Sequence, residues 1–348
     1  MSDVPPGVDL ARLQPWFAAH VEGATGGPLH ASLISGGRSN LTYAIGDDAH
    51  EWVLRRPPLG HVLPTAHDMA REHTVLAALA PTDVPVPRTL AFCADESVND
   101  APFYVMEKVD GQILRTSSEL ANLSPTDARR CSEALIDVLV AIHAVDYDSV
   151  GLGNFGHPDG YIERQVRRWG EQWERSKSGD LPVIEELARR LRAALPISPA
   201  PTIVHGDYRL DNTMLAADDP GRIVAVLDWE MATLGDPLSD MGLFLVYWGR
   251  DQSLAGANPS LTPGAGFLTR TEIAERYATA SGRDVSQLDF YEMLASYKLA
   301  IILAGIHARF LMGKTVGEGF DHIGTMVESI ASAALDTGSR SNITALRG

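Results

Sequence analysis

The sequence predicts an α+β fold in two lobes, a small antiparallel β-sheet followed by a larger, mainly helical lobe. Three observations carry this. Short apolar runs punctuated by Gly, Pro and Asp fill the chain to about residue 108, capped segments with helical periodicity dominate beyond it, and one strand–loop–strand stretch, Ile203 to Glu230, breaks the helices with a dense cluster of polar residues. A chain of 348 residues, 45% hydrophobic and 21% charged, is long enough to bury two cores. The expected division is a helical segment over 1–29, the sheet lobe over 30–108, the helical lobe over 109–336 and a flexible tail over 337–348, where the sequence turns polar and aperiodic.

The first strands flank a Gly-Gly turn in Leu33-Ile-Ser-Gly-Gly-Arg-Ser-Asn-Leu-Thr-Tyr-Ala-Ile45, and Glu51-Trp-Val-Leu-Arg-Arg56 supplies a third. Gly36 and Gly37 would let backbone N–H groups approach a phosphate, with Arg38, Ser39 and Asn40 as nearby donors; the bland alternative is a plain hairpin turn. Thr65 to Leu79 has helical periodicity, and Thr89 to Cys93 and Phe103 to Lys108 read as two further strands ending at Asp110-Gly111. Beyond them, Ser124 followed by Pro125 marks a helix start, and that helix should run to about Val145, with His143 near its end capping carbonyls or supporting a loop. A helix over Ile162 to Ser176 carries Arg164, Arg167 and Arg168 at spacings of three and four, together with Trp169 and Trp173.

The chemistry sits in Ile203-Val-His-Gly-Asp-Tyr-Arg-Leu-Asp-Asn-Thr-Met-Leu215 and Val224-Ala-Val-Leu-Asp-Trp-Glu230. Two apolar runs flank a polar loop, and a hairpin there would gather Asp207, Arg209, Asn212 and Asp228. Asp207 suits proton acceptance from a hydroxyl, Asn212 and Asp228 are the hard oxygen donors that Mg²⁺ prefers, and Arg209 suits the charge on a transferred phosphoryl group. The spacing matches the kinase loop His-Arg-Asp-x-x-x-x-Asn, in which Asn follows the base as Asn212 follows Asp207.

On these residues the chain resembles the aminoglycoside phosphotransferase and choline kinase-like branch of the protein-kinase-like fold. His205-Gly-Asp-Tyr-Arg-Leu-Asp-Asn212, Leu227-Asp-Trp-Glu230 and Gly235-Asp-Pro-Leu-Ser-Asp240 are most similar to the kinase-like domains fused to acyl-CoA dehydrogenases, and the likeness spans roughly residues 30 to 335. The resemblance implies a bilobal fold binding ATP, or GTP in its place, with Mg²⁺. It makes Asp207 and Arg209 catalytic, Asn212 and Asp228 metal ligands, and Gly36, Gly37, Arg38, Ser39 and Asn40 a phosphate-covering loop. Arg55 stands where the family has its nucleotide-binding Lys, and it would pair with Glu72 on the following helix; Arg and Lys are not geometric equivalents, so this departure bears on the phosphate contact. Glu107, Lys108 and Val109 would form the hinge that meets the adenine edge, with Met106 either facing that base or simply filling the core. Asp236 caps the next helix, Asp240 would brace the catalytic loop, and Glu230 would sit behind the metal or meet the substrate.

For the acceptor, a cationic face of Arg164, Arg167 and Arg168 suits an anionic or CoA-linked hydroxy compound better than a polycationic aminoglycoside, although an aminoglycoside or another antibiotic, or a choline-like amino alcohol, remains the alternative substrate. The same arginines could equally be a solvated helix face. A pseudokinase-like nucleotide-binding or scaffold protein is the competing reading, raised by Arg55. The formal net charge of −16 argues against a nucleic-acid partner. Cys93 and Cys131 give no disulfide framework, and Met1-Ser-Asp-Val-Pro-Pro lacks the features of a signal peptide, so the cytoplasm is the expected compartment. Leu299 to Ile306, eight apolar residues bounded by Lys298, His307 and Arg309, is too short to cross a bilayer and reads as the middle of a buried helix from about Ser286 to Met312. No membrane partner is expected, and the oligomeric state is left open.

Overall fold

The structure, a computed structural model, describes residues 4–36, 40–60, 67–177, 179–248, 265–313 and 322–348. It divides into two units, one made of Met1–Gly111, Val150–Leu152 and Val224–Ala232, the other of Gln112–Ser149, Gly153–Ile223 and Thr233–Gly348. The segment over 1–29 is therefore part of the sheet unit.

In the first unit, β1 (His30–Gly36), β2 (Leu41–Gly46), β3 (Glu51–Arg56), β4 (Thr89–Cys93) and β5 (Phe103–Glu107) form one antiparallel sheet in the order β1-β2-β3-β5-β4. Strand alternation divides its faces. The register pairs Tyr43 with Leu54 and Ile45 with Trp52, and these four pack with Leu13 and Phe17 of α1 (Leu10–His20) in the core. Thr42, Arg55 and Tyr104 pair along the rows of the opposite face, where a cation can meet polar partners. Asp9 starts α1 by accepting the Arg12 N–H at 3.1 Å, and Asp68 starts α2 (Met69–Leu79) by accepting the Arg71 N–H at 3.0 Å. The start expected at Thr65 lies outside the described residues. A short α3 (Glu96–Asn99) completes this unit's helices, packing beside α1.

The second unit is mostly helical: α4 (Ser117–Ala121), α5 (Pro125–Ala144), α6 (Tyr161–Ser176), α7 (Pro182–Ala193), α8 (Leu238–Tyr247), α9 (Arg270–Ser281), α10 (Leu288–Leu311) and α11 (Ile323–Arg340). Two small ribbons interrupt them. β6 (Thr202–Val204) pairs antiparallel with β9 (Thr233–Gly235), and β7 (Thr213–Ala216) pairs with β8 (Asp219–Val226), which leaves the unit after Ile223. By length and composition α10, at 24 residues, is apolar enough to cross a bilayer, yet Phe290, Tyr291, Met293, Tyr297, Ile301 and Leu303 are buried and the helix packs against α6, α7, α8 and α11. It is the central helix of this unit's core.

One expectation is corrected. The tail from Thr337 does not fray: α11 continues to Arg340, Ser341 and Leu346 are buried, and Arg190 Nη1 donates to the Leu346 carbonyl at 2.9 Å. A Cβ on Gly338 would come within 2.8 Å of that carbonyl oxygen and of Met293 Sδ, so the close approach needs a glycine there. The polar run hid a single apolar anchor, Leu346, whose docking partners are far away in sequence.

Candidate active site

In the second unit, β6 delivers the chain to His205, and Gly206 turns it with φ +83°, a conformation that favours glycine. The loop is gripped from outside. Asp240, in the first turn of α8, accepts the His205 N–H at 2.7 Å and the Gly206 N–H at 2.8 Å. His143 of α5 lies 3.3 Å from Asp240 through Nε2 and 2.8 Å from the Tyr277 hydroxyl through Nδ1. Burial opposes ionisation of Asp240, but its bond to His143 and the charges of His143 and His205 hold its carboxyl below the usual range. The bracing duty inferred for Asp240 is thus seen in the geometry, and His143 acts through it. Asp236 has a cap's contacts, accepting the Leu238 N–H at 3.0 Å and the Tyr291 hydroxyl at 2.6 Å.

Asp207 follows on this clamped turn. Asn212, at the end of a 3₁₀ turn (Leu210–Asn212), donates through Nδ2 to the Asp207 carbonyl at 2.9 Å and to its Oδ2 at 3.0 Å. The Asp207 carboxylate is thereby fixed, and the Asn212 amide oxygen is the end turned away from it. Arg209 Nε lies 3.3 Å from Asp207 Oδ2 and its Nη2 lies 3.2 Å from Asp211 Oδ2, while the guanidinium carbon stands 5.0 Å from the Tyr247 ring centroid. Asp211, not singled out from the sequence, shares the cation. Burial and then the Asp207 charge push its carboxyl up, against the pull of Arg209.

A further residue escaped the sequence reading. Lys298 of α10 donates from Nζ to the Gly206 carbonyl at 3.2 Å and lies 5.9 Å from the Trp169 ring centroid. The available signal was a lone lysine inside a long apolar helix.

In the first unit, Arg55 is the hub. Its Nε is 2.9 Å from Glu72 Oε1, its Nη1 donates to Thr42 Oγ1 at 3.2 Å, and its Nη2 donates to Asp228 Oδ1 at 2.6 Å. The Arg55 side chain is 12% exposed and that of Glu72 1%. Burial opposes the cation, but Glu72, Tyr104 and Asp228 hold the guanidinium charged well above its ordinary range. The expected Arg55–Glu72 pair is present, and Asp228 joins it. Asp228 itself has φ +64° and ψ +60°, a left-handed conformation that a non-glycine residue holds at a cost of about 1–3 kcal/mol. Trp229 pins the turn, nearly fully buried with its indole N–H on the Val226 carbonyl at 3.0 Å.

Asn40 does not serve as a phosphate-loop donor in this geometry. It is buried, its Nδ2 donating to Glu230 Oε2 at 3.1 Å and facing Glu72 Oε2 at 3.4 Å, so its amide protons are directed at two carboxylates. Glu230 also lies 3.6 Å from His67 Nδ1. Gly36 closes β1 opposite Leu41, whereas Gly37, Arg38 and Ser39 lie outside the described residues. Along β5, Met106 is buried between Val53 and Thr89, Val109 is half-buried, and the Glu107 N–H donates to the Arg88 carbonyl at 2.9 Å, so that donor is already engaged within the sheet.

The arginines of α6 do not form one wall. Arg164 donates to the Asp159 and His157 carbonyls, closing the start of the helix. Arg167 is exposed and 3.7 Å from Glu171, on a groove with Glu163 and Trp173. Arg168 lines a different groove of about 610 Å³ with Trp169, Ile301 and Ile302. Consecutive helical residues point about 100° apart, so Arg167 and Arg168 diverge, and Arg164, which shares a stripe with Arg168, is engaged elsewhere.

A sheet unit bearing a paired cation and carboxylates, and a helical unit bearing a clamped Asp-x-x-x-x-Asn loop, define a kinase-like class of protein. Residues 30–291 match the family model APH, described as the phosphotransferase enzyme family, and the chain belongs to that family. It is 34% identical over 314 residues to mouse acyl-CoA dehydrogenase family member 10, covering 89% of this chain and 29% of that protein. It is 32% identical over 342 residues to rat acyl-CoA dehydrogenase family member 11, covering 95% and 43%. The chain thus spans less than half the length of these curated relatives. Among solved structures, a Ralstonia eutropha protein named for the aminoglycoside phosphotransferases superposes with a TM-score of 0.83 at 33% identity, covering 94% of this chain and 98% of that one. An aminoglycoside phosphotransferase solved with ADP and hygromycin B has a TM-score of 0.60 at 15% identity over 89% of this chain and 95% of its own. Choline kinase from Cryptosporidium parvum has 0.67 at 13% over 97% and 99%, and these two likenesses speak to the fold alone.

Proposed function

We propose that the chain is a Mg²⁺-dependent O-phosphotransferase that moves the terminal phosphoryl group of ATP to a hydroxyl of a small molecule. The observation that carries this reading is the Asp207 carboxylate, held at 3.0 Å by Asn212 on a loop that Asp240 clamps by two backbone N–H groups. Asp207 orients the acceptor hydroxyl and takes its proton as the new oxygen–phosphorus bond forms and the bond to the departing ADP breaks. Arg209 offers its guanidinium to the charge on the transferring group. The donor set fits the metal, since the Asn212 amide oxygen and the Asp228 carboxylate are hard oxygen ligands. Mg²⁺ would neutralise charge on the phosphates. A fold neighbour bound to ADP supports the adenine nucleotide, and another solved with GDP keeps GTP as the alternative donor.

For the acceptor we favour an anionic or CoA-linked hydroxy compound. Lys298 supplies a cation at the catalytic loop and Arg168 one in the groove beside Trp169, and the relatives' acyl-CoA dehydrogenase names point to the same substrate chemistry. Two free thiols, Cys93 and Cys131, agree with a cytoplasmic setting as part of the same proposal. The test is ATP consumption across a panel of hydroxylated metabolites, including hydroxyacyl-CoA compounds, choline and aminoglycosides; consumption stimulated by none of them overturns the reading. One observation favours a second reading, a nucleotide-binding pseudokinase: Arg55 replaces the usual Lys and is already bonded to Asp228. Tight ATP binding with no turnover on the same panel would select it.

A further inference from the structure

The Gly206–Asp207 peptide group is held at both ends. Its N–H, on Asp207, donates to His205 Nδ1 at 3.2 Å, and its carbonyl, on Gly206, accepts from Lys298 Nζ at 3.2 Å. The preceding peptide is fixed by Asp240, which takes the Gly206 N–H at 2.8 Å. Two successive peptide planes are thereby set around a residue at φ +83°, and they determine where the Asp207 carboxylate points. Of these holds, the one from Lys298 reaches in from the farthest element in sequence, 92 residues away.

A lysine is a costly choice for such a contact. It sits half-buried in a helix whose neighbours in sequence, Tyr297, Ala300 and Ile301, are core residues. Burial depresses its pKa, while the charges of Asp207 and Asp240 pull it back up and that of Arg168 opposes them. A residue kept only for packing would be apolar here, because replacing a poorly solvated charge by an apolar side chain of similar size is often neutral or stabilising.

We infer that Lys298 is a positioning residue for the phosphoryl-transfer loop: it fixes the Gly206–Asp207 peptide by its hydrogen bond and places a cation beside the proton-accepting carboxylate. The inference rests on the phosphotransferase reading for its kinetic consequences and on the loop geometry alone for its structural one.

The experiment compares wild type, Lys298→Met and Lys298→Arg as full-length protein. Lys298→Met should keep or raise the melting temperature and leave nucleotide affinity by calorimetry within about twofold, while kcat falls about 10- to 100-fold, the range typical of lost orienting contacts. Lys298→Arg, which keeps donor and charge, should restore most of the turnover. A purely structural lysine predicts the opposite pattern, a lower melting temperature with unchanged kcat, and that result overturns the proposal. Should wild type transfer phosphoryl groups to no acceptor, the acceptor reading fails separately. Lys298 is then judged by crystal structures of wild type and Lys298→Met, in which a rotated Gly206–Asp207 peptide supports the inference and an unmoved one overturns it.

Discussion

Arg55 Nη2 stands 2.6 Å from Asp228 Oδ1, so the cation on β3 and the carboxylate proposed for the metal form an ion pair. Nucleotide and metal must compete with, or reshape, that contact. Asp228→Ala should therefore abolish Mg²⁺-dependent nucleotide affinity, since the second carboxylate of the turn, Glu230, is already tied to Asn40 at 3.1 Å. Calorimetry giving equal MgATP affinity for mutant and wild type would refute the assignment.

Arg55→Ala should weaken ATP more than AMP, because only the longer phosphate chain reaches the third strand. It should also destabilise the fold by about 3–5 kcal/mol, as expected when one partner of a buried pair is removed and Glu72 is left without its cation. Equal losses for both nucleotides, with the same drop in stability, would mean that Arg55 serves folding only.

Asp207→Asn should lower turnover about 10²- to 10⁴-fold, the usual worth of a positioned proton acceptor, with nucleotide binding almost intact. The Asn212 contact at 3.0 Å can persist in the variant through the remaining amide oxygen, so the loop should hold its shape. Steady-state rates with full occupancy of both substrates decide the matter, and wild-type turnover in the mutant would remove Asp207 from its role.

Asp240 gives a pH prediction. Its folded carboxyl is held below the ordinary 3.8, so its contribution to stability is fully present above that value and is lost as pH falls through the lower folded value. Asp240→Asn should be less stable than wild type at pH 7, and the gap should narrow in acid below about pH 4 as the wild-type carboxyl takes up its proton. Chemical denaturation at pH 7, 4 and 3 measures it; a gap that stays constant across that range would show that the charge of Asp240 is not what clamps the loop.

Leu346→Ala should cost about 2–5 kcal/mol, the range for emptying a buried leucine site, although it lies two residues from the last position of the sequence. A melting temperature equal to wild type would return this segment to the frayed tail that its composition suggested.

What was legible in the sequence was whatever is local. The catalytic loop is a contiguous stretch in which Asp207, Asn212 and Asp228 keep fixed spacings, and the strands of the first unit announce themselves by alternation around Tyr43, Trp52 and Leu54. The cap at Ser124, with Pro125 after it, sets a helix start where the sequence places it, and α5 ends at Ala144, one residue from the expected Val145. Contacts between distant residues were hidden. Lys298 looked like the polar edge of an apolar helix because nothing in its neighbourhood reveals Gly206, and Asn40 looked like a loop donor because Glu230 lies 190 positions away. The α6 arginines were misjudged for another reason: spacing places side chains on a stripe but does not show which carbonyls, such as those of His157 and Asp159, will claim them.

The membership of residues 224–232 constrains how this protein can be taken apart. That stretch belongs with the sheet unit, where the Val226 N–H reaches the Pro85 carbonyl at 2.7 Å and Arg71 holds the Ala232 carbonyl at 3.0 Å, yet the chain on both sides of it belongs to the helical unit. A fragment ending at Gly111 would keep Arg55 and its partner Glu72 but lose Asp228, removing the second carboxylate that the guanidinium meets at 2.6 Å in the intact protein. Chimeras that exchange sheet lobes between relatives must therefore carry this insert along with residues 1–111, and a graft that omits it should express as a lobe whose buried arginine keeps Glu72 but has lost the Asp228 carboxylate at its Nη2.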